Sequence, residues 1–135
     1  MRAAKEELVK NREVYESALR LLAEPDDSGR LEDFELRAPY VLGGFFYENG
    51  RLESEYRKYL GLDTREFVHA VFADLDDDFP FAERFVPAAE YYLASMLVID
   101  EDGELSDKFF DLYSSSMSNI VGELPGSVER IADVY

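Results

Sequence analysis

The stretch Pro87-Ala-Ala-Glu-Tyr-Tyr-Leu-Ala-Ser-Met-Leu-Val-Ile99 is apolar on almost every side of a helical wheel, and it constrains the fold more than any other part of the chain. Proline suits the first turn of a helix, and a helix without a polar face has to be enclosed by other elements. At 1.5 Å per residue such a helix is about 20 Å long, well short of a membrane span. The segment 87–99 is therefore predicted to be the buried centre of an all-α domain, and the remaining sequence has to supply the helices that cover it.

Upstream, Ala4, Leu8, Tyr15, Ala18, Leu19 and Leu22 recur at helical spacing, with Glu6/Lys10 and Glu16/Arg20 four apart and the acid first. This helix should stop near Glu24, before the loop-forming run 25–29. A short turn is expected at 31–36, followed by a helix opened by Pro39 with the stripe Val41, Leu42, Phe45 and Phe46 and closed by Asn49-Gly50. Gly43-Gly44 weakens that helix by roughly 1 kcal/mol per glycine and marks a kink or a close crossing. Leu52, Tyr56, Tyr59 and Leu60 form another short amphipathic helix ended by Gly61. A variant capping box, Asp63-Thr64-Arg65-Glu66, with Leu62 and Phe67 as a hydrophobic staple, predicts a helix over 64–75.

Beyond the acidic break Asp76-Asp77-Asp78, Pro80 and Pro87 bracket a turn before the central helix. A loop at 100–104 then leads to a helix whose stripe is Phe110, Tyr113, Met117, Ile120 and Val121. Pro125-Gly126 breaks the chain, and Ser127 can cap a last short helix. The expectation is one domain over 1–135, a globular array of about six to seven helices, without internal repeats or strand-like alternation.

Composition supports a packed core: 47% of the 135 residues are hydrophobic, with 10 Phe and 9 Tyr, which excludes global disorder. No apolar run is long enough for a transmembrane helix, and the first ten residues lack the continuous apolar stretch of a secretory leader. The absence of cysteine removes disulfides, thiolate metal sites and thiol nucleophiles, and it fits a cytoplasmic protein.

The formal charge of −16 is unevenly placed. Residues 74–135 hold fifteen acids against Arg84, Lys108 and Arg130, so they carry −12 of it. Such a surplus disfavours nucleic acid and anionic membranes as partners and points to a basic protein. Two clusters would form the binding surface: Asp74, Asp76, Asp77 and Asp78, then Asp100, Glu101, Asp102 and Glu104. Phe79, Tyr91 and Tyr92 lie between them and would offer cation–π contacts. The competing account of both clusters is electrostatic stabilisation of helix N-termini. Self-association through leftover apolar surface stays open, with no residue assigned to it.

Other chemistries are struck off by spacing. His69 is the one histidine, and Glu66-x-x-His69 supplies only half of a carboxylate-bridged dinuclear site, so it reads as structural. Val98 to Phe109 places Asp100, Asp102 and Gly103 as in a calcium loop but has Val98 and Phe109 where both end ligands are required. Phosphate loops, dinucleotide fingerprints and serine-nucleophile elbows are missing, and Ser114, Ser115, Ser116 and Ser118 read as helix-packing residues. No metal, cofactor or catalytic residue is expected.

The sequence leaves three readings. The first is a non-catalytic interaction module of the inhibitor, immunity-factor, chaperone or nucleic-acid-mimic kind. The second is a small ligand-binding or enzymatic domain with a Tyr/Phe-lined pocket and Glu66 or Glu90 as acid or base. The third treats the acidity as adaptation to high salt.

Overall fold

The computed structural model describes residues 8–24, 29–63 and 71–125. Among the described residues the chain is all-α, with helices α1 (Asn11–Leu21), α2 (Leu31–Leu60), α3 (Val86–Leu97) and α4 (Gly103–Gly122), and a single 3₁₀ turn, Glu83–Phe85, leading into α3. No strand forms among them; the one β-type pairing is an isolated bridge between Lys10 and Asp78.

Among the described residues, four α-helices therefore stand where six or seven were expected of the chain. The largest correction is α2, a single helix of 30 residues that runs through Pro39, Gly43-Gly44 and Asn49-Gly50. An interior proline opposes a helix by about 3 kcal/mol and each glycine by about 1 kcal/mol. Against this, Phe34, Leu42, Phe45, Phe46 and Tyr56 of the same helix are all buried, and burial of a large apolar side chain contributes about 1.5–3 kcal/mol. Packing of both halves on one core outweighs the local breakers. Three hydrogen bonds help: the Pro39 carbonyl accepts the Ala73 amide at 2.9 Å, and the Asn49 side-chain amide donates to the Phe45 carbonyl at 3.0 Å and the Tyr113 hydroxyl at 3.1 Å.

Of the helix expected over 64–75, residues 64–70 lie outside the described residues, and 71–75 are not helical. The capping box at 63–66, His69, Glu66 and the helix expected after Ser127 likewise fall wholly or mainly outside them.

α3 packs against α1, α2 and α4. Its Ala88, Ala89, Leu93, Ala94 and Leu97 are all inaccessible to solvent, and the three alanines let neighbouring helices approach closely. Val14 and Ala18 of α1, Phe34, Leu42 and Phe45 of α2, and Phe109 and Ile120 of α4 complete the core. Burial pushes the Tyr15 hydroxyl up to about 12, and it remains a proton donor to the Leu31 carbonyl at 3.4 Å.

Residues 71–82 form an irregular strap between α1 and α2. The strap carbonyls of Leu75 and Asp77 accept the Arg12 and Asn11 amides at 2.8 and 3.0 Å, satisfying N–H groups that the first turn of α1 cannot bond internally. The Phe79 amide donates to the Val9 carbonyl at 2.7 Å.

At the other end of α2, Gly61 has φ +72°, and Leu62 donates back to the Arg57 carbonyl at 2.9 Å. A Cβ at Gly61 would meet no atom within 4 Å, so the left-handed backbone alone sets the effect of a substitution. Gly61→Ala should destabilise the protein by about 1–2 kcal/mol, read as a lower urea midpoint with an unchanged m-value. An unaltered midpoint would show that the chain leaves α2 in some other conformation.

Candidate acidic interface

The two acidic clusters have different surroundings. The first sits on the N-terminal end of α1. Asp78 pairs with the Lys10 ammonium at 2.8 Å, and Asp76 accepts from Arg12 Nε at 3.1 Å, while Glu35 lies 3.6 Å from the same guanidinium. The hydrogen bond and charge of Asp78 hold Lys10 above its ordinary range, and Asp76 does the same for Arg12. Asp74 is exposed and bonds back to its own strap: its carboxylate accepts the Asp76 amide at 2.9 Å and its carbonyl accepts the Asn11 side-chain amide at 2.9 Å. Asp77 contributes its backbone carbonyl to the Asn11 amide. The helix these carboxylates favour is thus α1, more than sixty positions away in sequence, and not the next helix along the chain.

The second cluster surrounds the N-terminal end of α4. Asp102 is the N-cap, accepting the Leu105 amide at 3.1 Å, and Glu104 lies in the first turn. Asp100, Glu101 and Glu104 are exposed, as are Asp107 and Asp111 further along α4. Among the described residues no cation pairs with any of these carboxylates. Glu104, Asp107 and Asp111, at spacings of three and four, fall on one face of α4. Lys108, the one base within 100–111, lies over the Phe109 ring at 5.7 Å.

The aromatic residues expected between the clusters are not an exposed face. Phe79 is 5% exposed, with its ring 5.3 Å from Phe46 and 6.2 Å from Phe81. Tyr91 is half-buried and stacked on Phe109 at 6.5 Å, and Tyr92 is half-buried against Phe45 at 5.8 Å and Tyr113 at 5.0 Å. The apolar side chains that do reach solvent near the second cluster are Ile99, Phe110 and Leu112. Of the expected α4 stripe, Tyr113, Met117 and Ile120 face the core, whereas Phe110 reaches solvent and Phe109 is buried in its place.

Glu90, the half-buried carboxyl of α3, is the described residue of the two expected as an acid or base. Burial pushes its pKa up, against opposing effects of the Ser17 hydroxyl and the Arg20 charge, so it faces α1. Among the described residues no group of three His, Cys, Asp or Glu side chains is placed to hold a metal ion. No described helix is long and apolar enough to cross a membrane. No protein-family model, curated protein or solved structure matches this chain.

Proposed function

We propose that the protein is a non-catalytic interaction module that binds a basic protein partner through the turn between α3 and α4 and the outer face of α4. The observation that carries this reading is the set of carboxylates at 100–111: Asp100, Glu101, Asp102, Glu104, Asp107 and Asp111, with no ion-pair partner among the described residues. The first cluster has a smaller surplus to offer, because Lys10 and Arg12 already pair with Asp78 and Asp76. Ile99, Phe110 and Leu112 supply exposed apolar area next to the charge, so a partner with mixed basic and apolar side chains suits this surface better than a uniformly charged polymer.

The test is titration with a lysine- and leucine-containing amphipathic peptide at several salt concentrations. Affinity should fall steeply as salt rises, and Asp107→Lys/Asp111→Lys should weaken it about tenfold by turning exposed attractions into repulsions. Asp76→Asn/Asp78→Asn, on the first cluster, should leave binding within about twofold. Because Asp76→Asn/Asp78→Asn changes the net charge by half as much as Asp107→Lys/Asp111→Lys, a loss of binding free energy half as large or larger from the first-cluster pair would reduce the effect to net charge and remove the assigned surface.

A further inference from the structure

Where the C-terminal end of α2 meets the strap and the head of α3, the structure encloses a solvent-open cavity of about 430 Å³. That volume falls within the range of small-molecule sites. Its apolar walls come from Val9, Tyr56, Leu60, Phe79, Phe81 and Val86, four separate parts of the chain. The polar groups are few and fixed. Arg57 lines the cavity at 7% exposure; its Nε donates to Glu53, Nη1 to the Asp63 carbonyl at 3.3 Å and Nη2 to the Pro80 carbonyl at 3.3 Å. A guanidinium carries five N–H groups, so these three contacts leave two for another acceptor. The Tyr56 hydroxyl has no hydrogen-bond partner among the described residues, and burial together with the Glu123 charge raises its pKa, keeping it a donor.

Charge decides the class of occupant. Arg57 is balanced by Glu53, and Arg84 is balanced by Glu123 through contacts of 3.0 and 2.7 Å. Among the described residues Glu83, also on the lining, has no such counter-charge, so the charges described around the cavity sum to slightly negative inside a chain of net charge −16. A carboxylate or phosphate ligand would enter against this field, and a cation would meet the Arg57 guanidinium at the inner wall. We infer that the cavity binds a small uncharged molecule with an apolar body and one carbonyl oxygen, which accepts from Arg57 and from the Tyr56 hydroxyl. This site lies apart from the α4 surface and does not depend on it.

The experiment follows aromatic proton resonances of the full chain during titration with octanamide, octanoate and octylammonium. Octanamide should give saturable shifts of the Tyr56, Phe79 and Phe81 signals, and each charged analogue should bind at least about tenfold more weakly. Tyr56→Phe should weaken octanamide about two- to tenfold, the loss of one hydrogen bond, with little change in unfolding midpoint. Val86→Trp should fill the cavity and abolish the shifts while circular dichroism reports an intact helical fold. Absence of saturable octanamide binding, octanoate or octylammonium binding as tight, or undiminished binding by Val86→Trp would each overturn the assignment. Asp107→Lys/Asp111→Lys should bind octanamide as the parent does, which separates failure here from failure of the basic-partner reading.

Discussion

Phe45→Ala should lower the free energy of unfolding by about 3–5 kcal/mol, the largest effect expected of any single core truncation in this chain. Phe45 is wholly buried, and its ring lies 5.6 Å from Phe46, 5.7 Å from Phe81, 5.8 Å from Tyr92 and 6.1 Å from Tyr113. One side chain thereby joins α2 to the strap, α3 and α4, so the cavity left by its removal is bounded by elements that cannot all close in at once. Edge-to-face and tilted ring pairs add about 0.5–1.5 kcal/mol beyond area burial. The control is Leu36→Ala on the same helix: Leu36 is 68% exposed, and its loss should stay within about 0.5 kcal/mol. Urea unfolding of both variants gives the comparison. A Phe45→Ala loss under about 1 kcal/mol would mean that the four elements do not pack around this ring.

The same residues show what is legible in the sequence. α3 stands out because its apolar character persists all round the wheel, and Val86–Leu97 differs from the expected 87–99 by one residue at its start and two at its end. α2 is hidden by its own residues. Pro39, Gly43 and Gly50 are all buried, so what reads locally as three terminators is small or rigid packing material held by long-range contacts. Asn49 is equally misleading, since its amide is engaged by Tyr113, far along the chain.

Charge was legible only as a sum. The count for residues 74–135 identifies the acidic half, but nothing local says that Asp76 and Asp78 face Arg12 and Lys10, because those pairs form only when the strap crosses the start of α1. By contrast, the stripe Glu104, Asp107 and Asp111 was present in the helical period of α4 and needed only the correct starting point of that helix. Asp102 caps it at Leu105, ahead of the expected start, and packing on the core places Phe109 inward and Phe110 toward solvent.

Arg57→Met should cost about 3–5 kcal/mol, because it strands a carboxylate in the interior. Glu53 and Arg57, one helical turn apart on α2, are 5% and 7% exposed and hydrogen-bonded to each other. Without the guanidinium, Glu53 keeps one hydrogen bond among the described residues, from the Ala82 amide at 2.8 Å, and the carbonyls of Asp63 and Pro80 each lose a donor. The double variant Glu53→Leu/Arg57→Met removes the stranded charge together with its partner. It should recover at least about 1 kcal/mol relative to Arg57→Met, but not parent stability, since the Ala82 amide no longer has the Glu53 acceptor and the Asp63 and Pro80 carbonyls no longer have the Arg57 donor. This ordering, parent above double variant above Arg57→Met, is specific to a buried ion pair that also ties down the backbone around it. If Arg57→Met proves as stable as the double variant, Glu53 reaches water when its partner is gone, and the base of the cavity is more open than the structure places it.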